Sequence, residues 1–245
     1  MTGEIFRLNP ALDVKSLRTR FASANRLRID EFLAGDMASH LAEALAADQR
    51  WVFLINGTST VFEIARADYD ALAPTERNRI EQAVLSAAVR GFQFRYETIR
   101  VSDDDSVREA SATLLDQFAQ FMSSPETLSF IASVTGTEDI VFADAQATRY
   151  SPGDFLTRHD DDVDGKHRRL AYVLGLTPEW RTEWGGLLQF TNPEGDVIET
   201  IVPRFNALSL FSVPQPHSVS TVAPFAPHAR TSLTGWLRSR RADQS

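Results

Sequence analysis

A chain of 245 residues, 43% hydrophobic and 24% charged with a mean hydropathy of −0.22, has the composition of a globular protein long enough to bury a sizeable core. It contains no cysteine, which excludes disulfide scaffolds, thiolate metal sites and cysteine nucleophiles, so any metal has to be held by His, Asp or Glu. A net charge of −8 gives no general attraction to nucleic acid or anionic membrane, no apolar run approaches the ~18 residues of a membrane span, and neither is expected as a partner.

The opening residues, MTGEIFRLNPALDVKSLRTRF, hold no signal-like apolar segment, and Glu4 and Asp13 argue against a transit peptide, so the expected compartment is the cytoplasm. Met37, Leu41 and Leu45, with Ala44, form a helix-period stripe. RWVFLI and TVFEIA flank Asn56-Gly57 and read as two short strands around a tight turn. Ile80, Val84, Leu85 and Ala88 form a second helical stripe behind Thr75, with Gly91 as its stop signal. A third helix is predicted from about Val107 to Met122, and a fourth from Glu126 to Val134, ended by Gly136.

From Ile140 onward the texture changes to short β-type runs: IVFADAQATRY, FLTRHDD, RRLAYVLGL, GLLQF, DVIETIV, ALSLFSV, HSVSTV and RTSLTGWL, separated by Pro, Gly and Asn. Such a density of runs predicts a sandwich or barrel of the jelly-roll kind, a double-stranded β-helix. No linker or internal repeat separates the halves. The expectation is one α+β domain over 1–245, with about 1–135 as mainly helical support and about 138–240 as the jelly-roll core.

His159-Asp160-Asp161 is the strongest local feature. On a strand, residues i and i+2 face the same side, so His159 and Asp161 are expected to point together into a barrel. A His from a sequence-remote strand completes a 2-His-1-carboxylate set, and His217 opens such a strand. That set leaves positions open for a chelating co-substrate and dioxygen on Fe(II). Alone, H-x-D is a common chance pattern and an Asp-rich loop is commonly a solvated turn. His228 is the main rival to His217, whereas His40 lies on a helix and His167 in a charged turn.

Arg230, Ser232, Thr234 and Trp236 share one face of the last β-run. A buried Arg needs a carboxylate, and Arg230 is the candidate to hold the distal carboxylate of a dicarboxylic co-substrate, with hydrogen bonds from Ser232 and Tyr150. The plainer readings are an internal or surface ion pair for Arg230 and simple packing for Tyr150.

RYSPGDFLTRHDDD, RRLAYVLGLTPEW, GGLLQF, the His217 run and RTSLTGW, in one consistent order within about Phe121 to Arg238, resemble the prolyl-hydroxylase-type 2-oxoglutarate/Fe(II) dioxygenases. Within them, the likeness is greatest to the catalytic domain of ribosomal-protein prolyl hydroxylases and their bacterial relatives. SSPETLSFIASVTG resembles a helical segment preceding that core, and RIDEFLAGDMASHLAEAL carries a weaker similarity. The resemblance implies that His159, Asp161 and His217 ligate Fe(II), and that Arg230 and Tyr150 bind the 5-carboxylate of 2-oxoglutarate. It implies O2 as co-substrate, ascorbate as a candidate auxiliary reductant, and a prolyl residue of a protein or peptide as the group hydroxylated, with release of succinate and CO2.

Gly175 stands where relatives often carry an aromatic residue, so the pocket floor is expected to be wider or filled from elsewhere. No second jelly-roll domain is expected after RTSLTGWLRS. Asp162, Asp164, Arg168, Arg169 and Trp184 are candidates for the site mouth, solvated turns being the alternative. The competing readings are a cupin-like metalloenzyme without 2-oxoglutarate, a non-catalytic jelly-roll module that binds protein or senses metal, and an oxygenase of a free amino acid or other small molecule.

Overall fold

A computed structural model describes residues 5–57 and 60–240; Glu4, near the N-terminus, lies outside them. The helices are α1 (Val14–Ala24), α2 (Met37–Ala47), α3 (Arg66–Ala71), α4 (Pro74–Ala88), α5 (Asp105–Ser111), α6 (Leu114–Met122) and α7 (Pro125–Thr135). The strands are β1 (Arg26–Ile29), β2 (Val52–Asn56), β3 (Val61–Ala65), β4 (Phe94–Arg100), β5 (Phe142–Ala143), β6 (Gln146–Tyr150), β7 (Phe155–His159), β8 (Arg168–Gly175), β9 (Leu188–Thr191), β10 (Val197–Ile201), β11 (Ala207–Ser212), β12 (His217–Val219) and β13 (Arg230–Arg238).

Local chemistry sets the helix ends. The Asp13 carboxylate caps α1 by accepting from the backbone N–H of Lys15 and Ser16, and Leu17 and Phe21 are its buried residues. Helix α2 buries Leu41 and Leu45, as the stripe predicts. The helix expected from Val107 to Met122 is instead two, α5 and α6. Ala112 turns left-handed at φ 48°, and Thr113 and Asp116 cap the new start reciprocally. That pair of side-chain bonds satisfies backbone donors that a continuous helix would have satisfied itself.

The strands form one antiparallel sheet in the order β1-β11-β8-β13-β6-β4-β7-β12-β9-β10, with β2 and β3 added to β4 and β5 paired to β13. The first half is therefore less purely helical than its composition predicts. β4 lies between β6 and β7, and β1 lies on β11. Both ends of the order approach each other, because Arg26 on β1 forms an ion pair with Glu199 on β10 and lies 4.9 Å from the ring centre of Phe190 on β9. The sheet thus curls almost closed, in the jelly-roll manner.

Its two faces have different tasks. Leu170, Tyr172 and Leu174 of β8 and Leu233 and Leu237 of β13 pack with Phe118, Ala119 and Met122 of α6 in the main apolar core. Arg230, Ser232, Thr234 and Trp236 alternate with the leucines of β13 and line a cavity. Gly175 is not among the residues that line this cavity; a Cβ there would meet the Arg204 carbonyl oxygen at 2.2 Å, so the β10–β11 connection seats its backbone on this glycine. Overpacking against rigid backbone costs about 1–3 kcal/mol. Gly175→Ala is expected to lower stability by that amount in urea denaturation, while Gly91→Ala, with nothing within 4 Å, stays close to the parent. Equal stability of both variants would contradict this close approach.

Candidate metal centre and co-substrate pocket

Strands β7 and β12 pair antiparallel with His159 directly opposite His217, and the two imidazole centres are 4.1 Å apart. Asp161 reaches them by a different route from the one expected. β7 ends at His159, and Asp161 lies beyond it with φ 66°, a left-handed conformation that Asp tolerates better than most residues. Its Oδ1 is 3.4 Å from His159 Nε2 and its Oδ2 is 3.5 Å from His217 Nε2. One ligand atom from each of the three residues falls within 4.8 Å of the others.

The neighbouring carbonyls select the imidazole tautomer. Nδ1 of His159 is 3.0 Å from the Thr157 carbonyl and Nδ1 of His217 is 2.7 Å from the Gln215 carbonyl. Each Nδ1–H donates there, which leaves each Nε2 with a lone pair turned toward Asp161. Burial, and next the nearby His159, push the pKa of His217 down to about 4. Burial opposes the charge on Asp161, but its contacts with the imidazoles, His159 first and then His217, hold its pKa below the usual value. Two imidazole nitrogens and a carboxylate converging on one point form a donor set suited to a divalent cation.

A cavity of about 400 Å³ surrounds these groups. On β13, Arg230 is opposite Tyr150 of β6 and only 4% exposed. Its Nε and Nη1 have no hydrogen-bond partner, and it makes no ion pair among the described residues. Burial lowers its pKa. The internal-ion-pair and surface readings of this arginine therefore do not hold, and its planar donor fork is matched to a carboxylate that a ligand would bring. Tyr150 stacks on Tyr96, ring centres 5.0 Å apart, and the Ser232 hydroxyl lies 3.0 Å from that of Thr148.

His228 is not part of the cluster. Its Nε2 faces the Glu179 carbonyl at 3.1 Å and its ring packs against Trp180 and Trp184. Asp162 and Arg168 line the cavity; Arg169 instead pairs with Asp139, and Trp184 packs on Trp180. Asp164 is an exposed turn residue outside the lining. Phe92, Phe94 and Tyr96 form a wall that the sequence reading missed. Their signal was the i, i+2 spacing of Phe92, Phe94 and Tyr96, legible once β4 is known as a strand.

Because His217 binds a proton less readily in the folded state than the ordinary value of 6.5, the unfolded chain binds more protons between pH 6.5 and 4. In metal-free protein this group's contribution to stability is present above that window and lost as pH falls through it. His217→Gln is expected to flatten the fall in melting temperature between pH 7 and 5, and an unchanged slope would contradict the buried neutral imidazole.

The description "2OG-Fe(II) oxygenase superfamily" matches residues 145–238. Over 154 residues the chain is 29% identical to prolyl 3-hydroxylase OGFOD1 of Xenopus laevis, covering 60% of this chain and 28% of that protein. It is also 29% identical over 137 residues to prolyl 3-hydroxylase sudestada1 of Drosophila melanogaster, covering 51% and 25%. The chain thus spans less than a third of the length of these relatives. A Pseudomonas putida prolyl-4-hydroxylase superposes with a TM-score of 0.58 at 20% identity, over 93% of this chain and 100% of that one. A Trichoplax adhaerens prolyl hydroxylase, solved with a hypoxia inducible factor oxygen degradation domain peptide fragment, gives 0.59 at 19% identity over 95% and 92%. These structural likenesses show a shared fold. The strands that carry His159, His217 and Arg230 thus lie within a segment, residues 145–238, that is similar to the 2OG-Fe(II) oxygenase superfamily, on a fold shared with solved prolyl hydroxylases.

Proposed function

We propose that the protein is an Fe(II)- and 2-oxoglutarate-dependent dioxygenase that hydroxylates a prolyl residue of a protein or peptide, with release of succinate and CO2. The observation that carries this reading is the coexistence, in one cavity, of the His159, Asp161 and His217 donor set and a buried guanidinium on Arg230 that lacks any internal acceptor. The prolyl substrate is supported by the relatives, which are named as prolyl 3-hydroxylases.

In this reading His159 Nε2, His217 Nε2 and an Asp161 oxygen hold the iron. Bound Fe(II) supplies the activation of dioxygen, which no side chain provides. Arg230 takes the distal carboxylate of 2-oxoglutarate, and Tyr150 and Ser232 complete its surroundings. The buried, largely apolar wall around that carboxylate strengthens the ion pair and excludes water from the reacting end. Asp161, as a protein ligand, keeps its coordination position from an external halide, which favours hydroxylation over halogenation. A cytoplasmic setting and ascorbate as a candidate auxiliary reductant belong to the same reading.

Loss of the Arg230 fork removes charge-assisted hydrogen bonds each worth about 1.5–3 kcal/mol. Arg230→Met is therefore expected to raise the KM for 2-oxoglutarate by about 100-fold or more, with Mn(II) affinity retained; an unchanged KM would refute the anchor. Peptide mass spectrometry of cells with and without the protein is expected to show prolyl residues carrying +16 Da only where it is present. Modification confined to other residue types would contradict the prolyl assignment.

A further inference from the structure

Strand β4 changes partner in mid-course. Glu97 pairs with Arg149 of β6, whereas Arg95 pairs with Phe155 of β7, so Tyr96 stands at the fork where these two strands part. Its ring lines the cavity and stacks on Tyr150. The residues on either side of it turn to the opposite face of the strand, and each makes an ion pair there. Glu97 holds Arg149 through two bonds of 2.7 and 2.8 Å, which ties β4 to β6. Arg95 holds Asp154 at 2.8 Å, which ties β4 to the SPGD turn at 151–154 between β6 and β7.

Asp154 is only 2% exposed, and each of its carboxylate oxygens has its own donor. Oδ1 accepts from Arg95 Nε and Oδ2 from the backbone N–H of Ser151, both at 2.8 Å. The main chain of the turn is tied down too, since Gly153 N–H donates to the Val222 carbonyl and Val222 N–H to that of Asp154. A Cβ at Gly153 would collide with Arg95 Nη2, so the guanidinium lies directly on the turn. A buried ion pair adds little net stability over an apolar pair, because desolvation offsets the Coulomb gain; what it fixes here is geometry.

The geometry in need of fixing is that of Tyr150. It is the last residue of β6, its partner Arg230 is the first of β13, and the ladder between β4 and β6 ends one residue earlier, at Arg149. Among the described residues no strand pairing holds the chain again until Phe155. Across that gap the Asp154 bond to Ser151 N–H fixes the peptide group that follows Tyr150. His159 is placed independently, by its pairing with His217. We propose that Asp154, held by Arg95, is a positioning residue that sets the Tyr150 hydroxyl for the co-substrate carboxylate. This rests on the proposed function, in which Tyr150 meets the distal carboxylate of 2-oxoglutarate, and it gives the SPGD turn a task in that site. An Asn at position 154 has one acceptor oxygen for two donors, so its amide N–H meets one of them donor to donor and the turn has to shift.

The test is a double-mutant cycle. N-oxalylglycine, an unreactive analogue of 2-oxoglutarate, is titrated calorimetrically into the Mn(II)-saturated parent, Y150F, D154N and the variant carrying both changes. Loss of one hydrogen bond to a carboxylate weakens binding about tenfold or more, which is the effect expected of Y150F and, at a comparable size, of D154N. The double variant is expected to bind no more weakly than Y150F, because D154N acts through a hydroxyl that is already gone. Mn(II) affinity is expected to stay at the parent value in D154N. R95K keeps the charge opposite Asp154 but not the planar donor, and it enters the same cycle if D154N does not fold. Equal losses from D154N with and without the Tyr150 hydroxyl, an unchanged affinity in D154N, or a parallel loss of Mn(II) overturns the proposal. A parent protein that fails to bind Mn(II) or N-oxalylglycine, or a Y150F that binds N-oxalylglycine as the parent does, would instead overturn the proposed function.

Discussion

The register in which β7 pairs with β12 is the constraint on which the candidate site depends, because it sets His159 across from His217. In an antiparallel sheet a slip of one residue turns every side chain to the opposite face, so this pairing decides whether two imidazoles meet or point apart. β12 is three residues long and also pairs with β9, placing Phe190 beside His217. The short strand is thus held from both edges, and the β-type irregularity between His217 and Val219 on the β7 side leaves the histidine pair itself in register. The turn after His159 then supplies the third donor by a left-handed residue that no straight strand would place there.

Around this register the fold separates stability from chemistry. The helices and the leucine face of β8 and β13 form a core in which residues such as Phe118, Met122 and Leu233 have no exposure at all. The opposite face carries groups that folding alone leaves incompletely paired: the guanidiniums of Arg230 and Arg168 and the hydroxyl of Thr234. Each such group weakens the empty protein, since a buried donor without an acceptor costs about 1–3 kcal/mol. The apolar core offsets that loss. The same unpaired donors give a ligand its selectivity, because an isostere without the matching oxygen leaves them unsatisfied.

Sequence patterns made the C-terminal half legible because its strands alternate: in β13 the residues Arg230, Ser232, Thr234 and Trp236 read as one face and are found on one face. β4 escaped notice for a physical reason. In FRYETIR every residue through Ile99 except the half-buried Arg95 is buried, so its polar residues do not mark a solvent face. With it went the aromatic wall of Phe94 and Tyr96. His-x-Asp pointed to the right pair of residues, but Asp161 arrives through backbone geometry rather than strand alternation, which spacing alone does not reveal. The break between α5 and α6 was written in Thr113 and Asp116, a capping pair outweighed in the reading by the apolar period around it.

The central claim is that His159, Asp161 and His217 hold Fe(II) while Arg230 orients 2-oxoglutarate to chelate it. Visible spectroscopy of the protein mixed anaerobically with Fe(II) and 2-oxoglutarate reads that chelate directly. The account predicts a weak charge-transfer band that requires both additions, disappears in Asp161→Ala, and in Arg230→Met appears only at much higher 2-oxoglutarate. A parent protein with no such band, or a band that survives in Asp161→Ala, would contradict it.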